Sequence, residues 1–164
     1  MKRWKYALAA LVLAGLGAAY PRLGLRAPRQ PIAFPHNLHL QAGMHCADCH
    51  RDAAVSNRAG LPSVRECALC HQRLRARSPL IRQVMDYARR GIEIPWQRVY
   101  VYPASAHLRF RHNLHLAAGL ACRTCHGDMR RLATARVWKP MPMGVCIACH
   151  RQHGAKTGCE DCHV

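Results

Sequence analysis

FPHNLHLQAGMHCADCH, running from Phe34 to His50, returns 76 positions later as FRHNLHLAAGLACRTCH, from Phe110 to His126. Phe34, His36, Asn37, Leu38, His39, Leu40, Ala42, Gly43, Cys46, Cys49 and His50 recur as Phe110, His112, Asn113, Leu114, His115, Leu116, Ala118, Gly119, Cys122, Cys125 and His126. His45 is matched by Ala121 and falls outside the duplicated set. A chain of 164 residues that keeps two histidines three apart, then a C-x-x-C-H, in both copies is built around that constellation.

The C-x-x-C-H element occurs five times: Cys46 to His50, Cys67 to His71, Cys122 to His126, Cys146 to His150 and Cys159 to His163. These account for all ten cysteines. In this pentapeptide two thiols add across the vinyl groups of a haem, and the histidine that follows becomes the proximal iron ligand. A disulfide framework has no use for a histidine after every second cysteine. With 12 histidines in 164 residues, five such hits by chance have a probability on the order of one in a million. Zinc knuckles pair C-x-x-C units into four-ligand sites, and five units cannot be paired off. The cofactor expectation is therefore five haem c groups, with proximal ligands His50, His71, His126, His150 and His163.

Histidines at i and i+3 of a helical turn point to the same side, with Cβ atoms about 5–6 Å apart. One haem has one open axial position, so such a pair serves two haems. His36 is expected to be the sixth ligand of its own repeat's haem and His39 that of a neighbouring haem, with His112 and His115 doing the same in the second copy. The fifth distal ligand is one of His153, Met143 and His107, which spacing does not separate. A methionine there would raise that haem's potential above its neighbours.

Composition agrees with an interior that is not all protein. The chain has only two Phe and three Trp within a hydrophobic fraction of 50%. The formal charge is +17, and two propionates on each of five haems would bring it to about +7. Part of the basic excess is thus internal compensation, and the run from Arg73 to Arg77 is a solvated face or a set of propionate partners. Nothing implies a nucleic-acid partner.

Organisation follows from the repeats. A two-haem module spans residues 34–71, a linker 72–109, a second two-haem module 110–150, and a terminal haem 159–163. In the linker, Ser78 is a good N-cap, Pro79 suits the first turn, and Leu80, Ile81, Val84, Tyr87 and Ala88 form one face before Gly91. Ile92 to Val101 has an extended pattern. The expected fold is short α-helices and coil wrapped around five haems, with little β structure and an apolar N-terminal helix.

Lys2, Arg3 and Lys5 precede an apolar run from Tyr6 to Tyr20, closed by Pro21. Residues 1–25 are an export segment: either a signal peptide cut after Gly17-Ala18-Ala19, or an anchor with Trp4, Tyr6 and Tyr20 at the interface and Leu23 and Leu25 extending it. The basic flank keeps that end in the cytoplasm, so residues 26–164, the pentahaem domain, are expected on the periplasmic side of a bacterial cytoplasmic membrane.

The H-x-x-H before C-x-x-C-H resembles the class III multihaem cytochromes c, in which such pairs ligate two different haems. The combination of Ile94-Pro95-Trp96-Gln97-Arg98-Val99, Pro103, Phe110-Arg111-His112, Cys125-His126-Gly127 and Met143-Gly144-Val145-Cys146 with a terminal C-x-x-C-H is similar to the pentahaem subunit of alternative complex III, a quinol:electron-acceptor oxidoreductase. That resemblance implies an electron-transfer subunit, not itself an enzyme. Its implied partners are iron–sulfur and quinol-binding subunits and a c-type cytochrome or oxidase acceptor. The competing expectations are a soluble periplasmic shuttle, released by signal cleavage, and a multihaem reductase with an open iron position. Seven spare histidines for five irons speak against the reductase.

Overall fold

The computed structural model describes residues 28–74 and 78–164, together with Trp4, Tyr6, Leu8 and Leu11, which are helical and exposed. The remainder of the N-terminal segment and Arg75 to Arg77 of the basic run lie outside the described residues. Among the described residues no helix is long and apolar enough to cross a membrane.

The elements are short because the motifs demand single turns. A C-x-x-C needs one helical turn to bring its two thiols to one side, and Cys46–Cys49 (α2), Cys122–His126 (α6) and Cys159–Cys162 (α8) are little more than that. The H-x-x-H segments form α1 (His36–Gln41) and α5 (His112–Ala117). The other two cysteine pairs sit on longer helices, α3 (Val64–His71) and α7 (Met143–Gln152). α3 starts at a capping box, in which the Glu66 amide donates to Ser63 Oγ at 3.3 Å and the Ser63 amide to the Glu66 carboxylate at 2.8 Å.

The linker helix α4 (Pro79–Arg90) follows its sequence signals. Ser78 Oγ accepts from the Leu80 amide, Pro79 opens the first turn, and Gly91 closes the helix at φ +65°. Its inner face packs on the one conventional core of the first half, where Leu80, Val84, Tyr87, Ala88 and Trp96 surround the buried Ile32, Val64 and Ile94. Ile81 faces elsewhere, into a cavity of about 380 Å³ shared with His71, Leu74 and Met85. Ile92 to Val101 contains no strand, and Leu108–His163 is the sole β-bridge among the described residues.

Only four apolar side chains are buried among the described residues: Ile32, Val64, Ile94 and Leu132. A domain of this size that closes over so little of its own side chain is held together by something else. What the helices carry instead is ten free thiols, none of them fully buried, and the histidines that follow them.

Two exchanged contacts join the halves. The 3₁₀ turn after α6 (Met129–Arg131) packs on α1, where the Asn37 amide donates to the Leu132 carbonyl at 3.2 Å. The 3₁₀ turn after α2 (Arg51–Ala54) packs on α5, where the Asn113 and His112 amides donate to the Ser56 and Asn57 carbonyls at 3.2 and 3.3 Å. Each repeat thus clamps the histidine helix of the other.

Candidate haem-binding sites

Each C-x-x-C-H histidine and each H-x-x-H histidine was expected to meet a partner across a haem. Two imidazoles bound to one metal at about 2 Å each would have ring centres about 6.3 Å apart. His112 and His126 lie with ring centroids 6.3 Å apart and planes only 7° from parallel. His39 and His71 are separated by 5.9 Å, and His115 and His150 by 6.0 Å. His36 lies beside His50 and, being half-buried, is held at a pKa of about 4, first by desolvation and then by the His50 and His39 rings. Burial likewise lowers His71 and His126, and the nearby rings of His39 and His112 add to it respectively. Neutral imidazole is the ligating form, so the environment favours ligation.

The ring orientations point the same way. Nδ1–H of His50 donates to the Gly60 carbonyl at 2.9 Å, that of His150 to Lys156 at 2.6 Å and that of His163 to Ala106 at 2.7 Å. On the H-x-x-H side, His39 donates to Pro35 at 3.0 Å, His115 to Arg111 at 2.7 Å and His112 to Asn57 at 2.9 Å. A carbonyl can only accept, so the proton is on Nδ1 and the Nε2 lone pair is left for a metal. His36 and His71 keep a buried Nδ1 with no protein partner.

The chain's two phenylalanines perform one task twice. Phe34 stacks on His39 at 4.3 Å and meets His36 edge-on at 4.7 Å, while Phe110 stacks on His115 at 4.5 Å and meets His112 edge-on at 4.8 Å. Each ring orients a histidine pair. Their recurrence in the repeat was the available signal, but it did not reveal the stacking. Two glycines serve the proximal side. Gly60, at φ +70°, delivers the carbonyl that holds His50, and a Cβ there would collide with the Asp52 carboxylate. Gly127, at φ +74°, lets the Trp138 indole lie against the backbone beside His126. Tyr100 meets the His126 ring edge-on at 5.4 Å, and its hydroxyl reaches the Cys125 and Lys139 carbonyls, each at 3.3 Å.

The thiols of all five C-x-x-C pairs are free, and burial pushes those of Cys46, Cys49, Cys67, Cys125 and Cys146 upward. Around them, apolar surface is left open: Leu38 and Leu114, between the paired histidines, are 57% and 54% exposed. Among the described residues no group of three or more His, Cys, Asp or Glu is arranged to hold a bare metal ion. Imidazoles come in facing pairs, which suits the two axial positions of a haem and not the four of zinc. The residues present therefore fit haem c.

Three residues are the candidates for a last distal ligand: Met143, His153 and His107. Met143, at the start of α7, is 64% exposed, and His153 caps the end of the same helix. His107 is exposed, in a left-handed conformation at φ +45°, and its carbonyl accepts from the Val164 amide at 3.1 Å.

Residues 108–164 match the family model of cytochrome c7 and related cytochrome c, and residues 19–89 that of the class III cytochrome C family. Both are models of cytochromes c that carry electrons on covalently bound haem, so each half of the chain is similar to that class. It is 36% identical over 110 residues to the menaquinone reductase, multiheme cytochrome c subunit, of Nitratidesulfovibrio vulgaris. That stretch is 66% of this chain and 50% of the relative, so the chain spans about half the length of the protein it matches.

Proposed function

We propose that the chain is a pentahaem electron-transfer subunit of a membrane-bound quinone oxidoreductase, acting as a conduit and not as the site of quinone chemistry. Haem c, attached at each C-x-x-C-H, supplies a one-electron Fe(III)/Fe(II) couple. The observation that carries the reading is the set of facing imidazoles at 5.9–6.3 Å. It supports His39 opposite His71, His112 opposite His126 and His115 opposite His150, and the place of His50 beside His36 extends the pattern to His36 opposite His50. Haems held between these pairs would keep no open coordination position at four sites, which disfavours substrate reduction at the metal.

At the fifth site we set His107 aside. The Ala106 carbonyl accepts from His163 Nδ1, so residues 106–109 lie behind that imidazole, on the side away from Nε2. A sixth ligand has to approach from the opposite haem face. His107 directly follows the residue whose carbonyl holds the proximal imidazole, and His153 and Met143 are the remaining candidates. A methionine-to-iron charge-transfer band in the near infrared that disappears in Met143→Ala would select Met143. Its absence, with one iron turning high-spin in His153→Ala, would select His153.

The resemblance to the alternative complex III subunit supports placement in a quinol-oxidising complex, with residues 1–25 as the anchor and the haem domain on the periplasmic side. The name of the Nitratidesulfovibrio relative favours a second direction of flow, toward menaquinone. Both require a separate quinone-binding subunit. The protein is expected to stay with membranes through a high-salt wash and to copurify with integral subunits. The isolated chain is expected to neither oxidise quinol nor reduce quinone. Release by salt of a haem domain lacking the N-terminal segment would instead make it a soluble shuttle.

A further inference from the structure

We propose that the five attachment sites, numbered in chain order, are arranged in space as second, first, third, fourth, fifth, so that the second and fifth sites are the two ends at which electrons enter and leave. This rests on the haem reading above and goes beyond it, because chain order alone would put the first site at an end.

Neighbours within a module follow from shared helices. α1 carries both His36 and His39, which face the first and second proximal histidines, so these sites adjoin; Cys49 is within electrostatic reach of Cys67 and Cys70. α5 does the same with His112 and His115 for the third and fourth sites, and Cys125 lies within electrostatic reach of Cys149.

The crossing between modules runs from first site to third. The exchanged clamps bring the turn after α2 against α5 and the turn after α6 against α1. His112 reaches across the boundary with both its amide and its ring to the Asn57 carbonyl, at 3.3 and 2.9 Å. Beside this exchange Cys46 and Cys122 interact side chain to side chain, and the His126 ring lies near His50 as well as His112. The first cysteine of each repeat thus meets its own duplicate.

The fifth site extends the far module. Only nine positions separate His150 from Cys159, and Cys146 has Cys162 as a neighbour. The Arg109 amide donates to the Cys162 carbonyl at 2.8 Å, tying the site to the segment that enters α5. At the other end, the second site is bounded by ordinary protein: His71 opens on the cavity lined by Ile81 and Met85 of α4. Along the path an electron leaves a ferrous iron and is accepted by the ferric iron of the next site, with no bond made or broken and no proton moved. The one-electron donor and acceptor, iron–sulfur or haem proteins by class, meet opposite ends.

The test is an anomalous-scattering map of the full haem-loaded chain, locating each iron by its attached cysteines. The expected result is that the shortest iron–iron distances are second to first, first to third, third to fourth and fourth to fifth. A third-site iron nearer to the second site than to the first, or a fifth-site iron nearer to the third than to the fourth, overturns the order while leaving the haem reading intact. Absence of covalently attached iron overturns both.

Discussion

The two repeats share their motif and differ in what holds them. The first rests on protein: Ile32, Val64 and Ile94 are buried beneath α4 and Trp96. The second has no such cluster among the described residues. It is fastened by hydrogen bonds, with Tyr100 reaching Cys125 and Lys139, Tyr102 reaching Met141 at 3.1 Å, and residues 107–109 laced to the last three residues of the chain. Even the equivalent histidines differ, since His112 Nδ1 is bonded to Asn57 and His36 Nδ1 is buried without a protein partner. One ligand pattern can therefore be supported by packing or by backbone lacing, provided the cofactor fills the rest.

The largest effect should come from withholding the haem. Four buried apolar side chains are far too few to offset the conformational entropy of ordering the chain, about 1–2 kcal/mol per residue. Chain produced without haem attachment should be protease-sensitive throughout, with residual helix confined to the α4 region. Limited proteolysis checks this, and a protected second module in the haem-free chain would break the contrast.

Truncating the two phenylalanines should separate the modules next. Phe34 also meets Trp96 edge-on, at 6.2 Å beside the core, so Phe34→Ala should cost about 3 kcal/mol through lost packing and stacking. Phe110 is 40% exposed, and Phe110→Ala should cost about 1 kcal/mol, chiefly the stack on His115. Denaturant titration of the haem-loaded variants measures both, and equal losses would remove the asymmetry.

Val64→Ala should follow, at about 2 kcal/mol, because Val64 is the most fully buried side chain described and its removal leaves a cavity. Hydrogen exchange should show the loosening in α3 and α4 and not in α5 or α7. Tyr100→Phe should cost no more than Phe110→Ala, about 1 kcal/mol, since it removes only the hydroxyl that serves Cys125, Lys139 and the Trp138 amide. Here the loosening should be confined to the second module.

Much of this was legible in the residues. The ten cysteines and the histidines that follow them are local motifs whose chemistry sets their spacing, and Ser78, Pro79 and Gly91 delimit α4 where local capping chemistry requires. The geometry of the histidine pairs was half legible: that His36 and His39 serve different haems follows from a helical turn, but which imidazole each faces is a tertiary fact. The carbonyls of Gly60, Asn57, Lys156 and Ala106 that hold the ring nitrogens belong to residues with no motif, because any residue can supply a carbonyl. Ile81 was assigned to the core face and lies instead toward His71, since helical periodicity does not distinguish a protein core from a cofactor surface. The exchange between repeats left no trace in the sequence, because it is made chiefly by backbone groups, and the His112 ring that joins it bonds to a carbonyl any residue could supply.

The central claim, that paired imidazoles are axial ligands, is tested most directly by near-infrared magnetic circular dichroism of the oxidised, haem-loaded protein, with iron quantified. The account predicts five low-spin irons per chain, at least four of them with the charge-transfer signature of two histidines. Two or more high-spin irons, or more than one with a histidine–methionine signature, would contradict it.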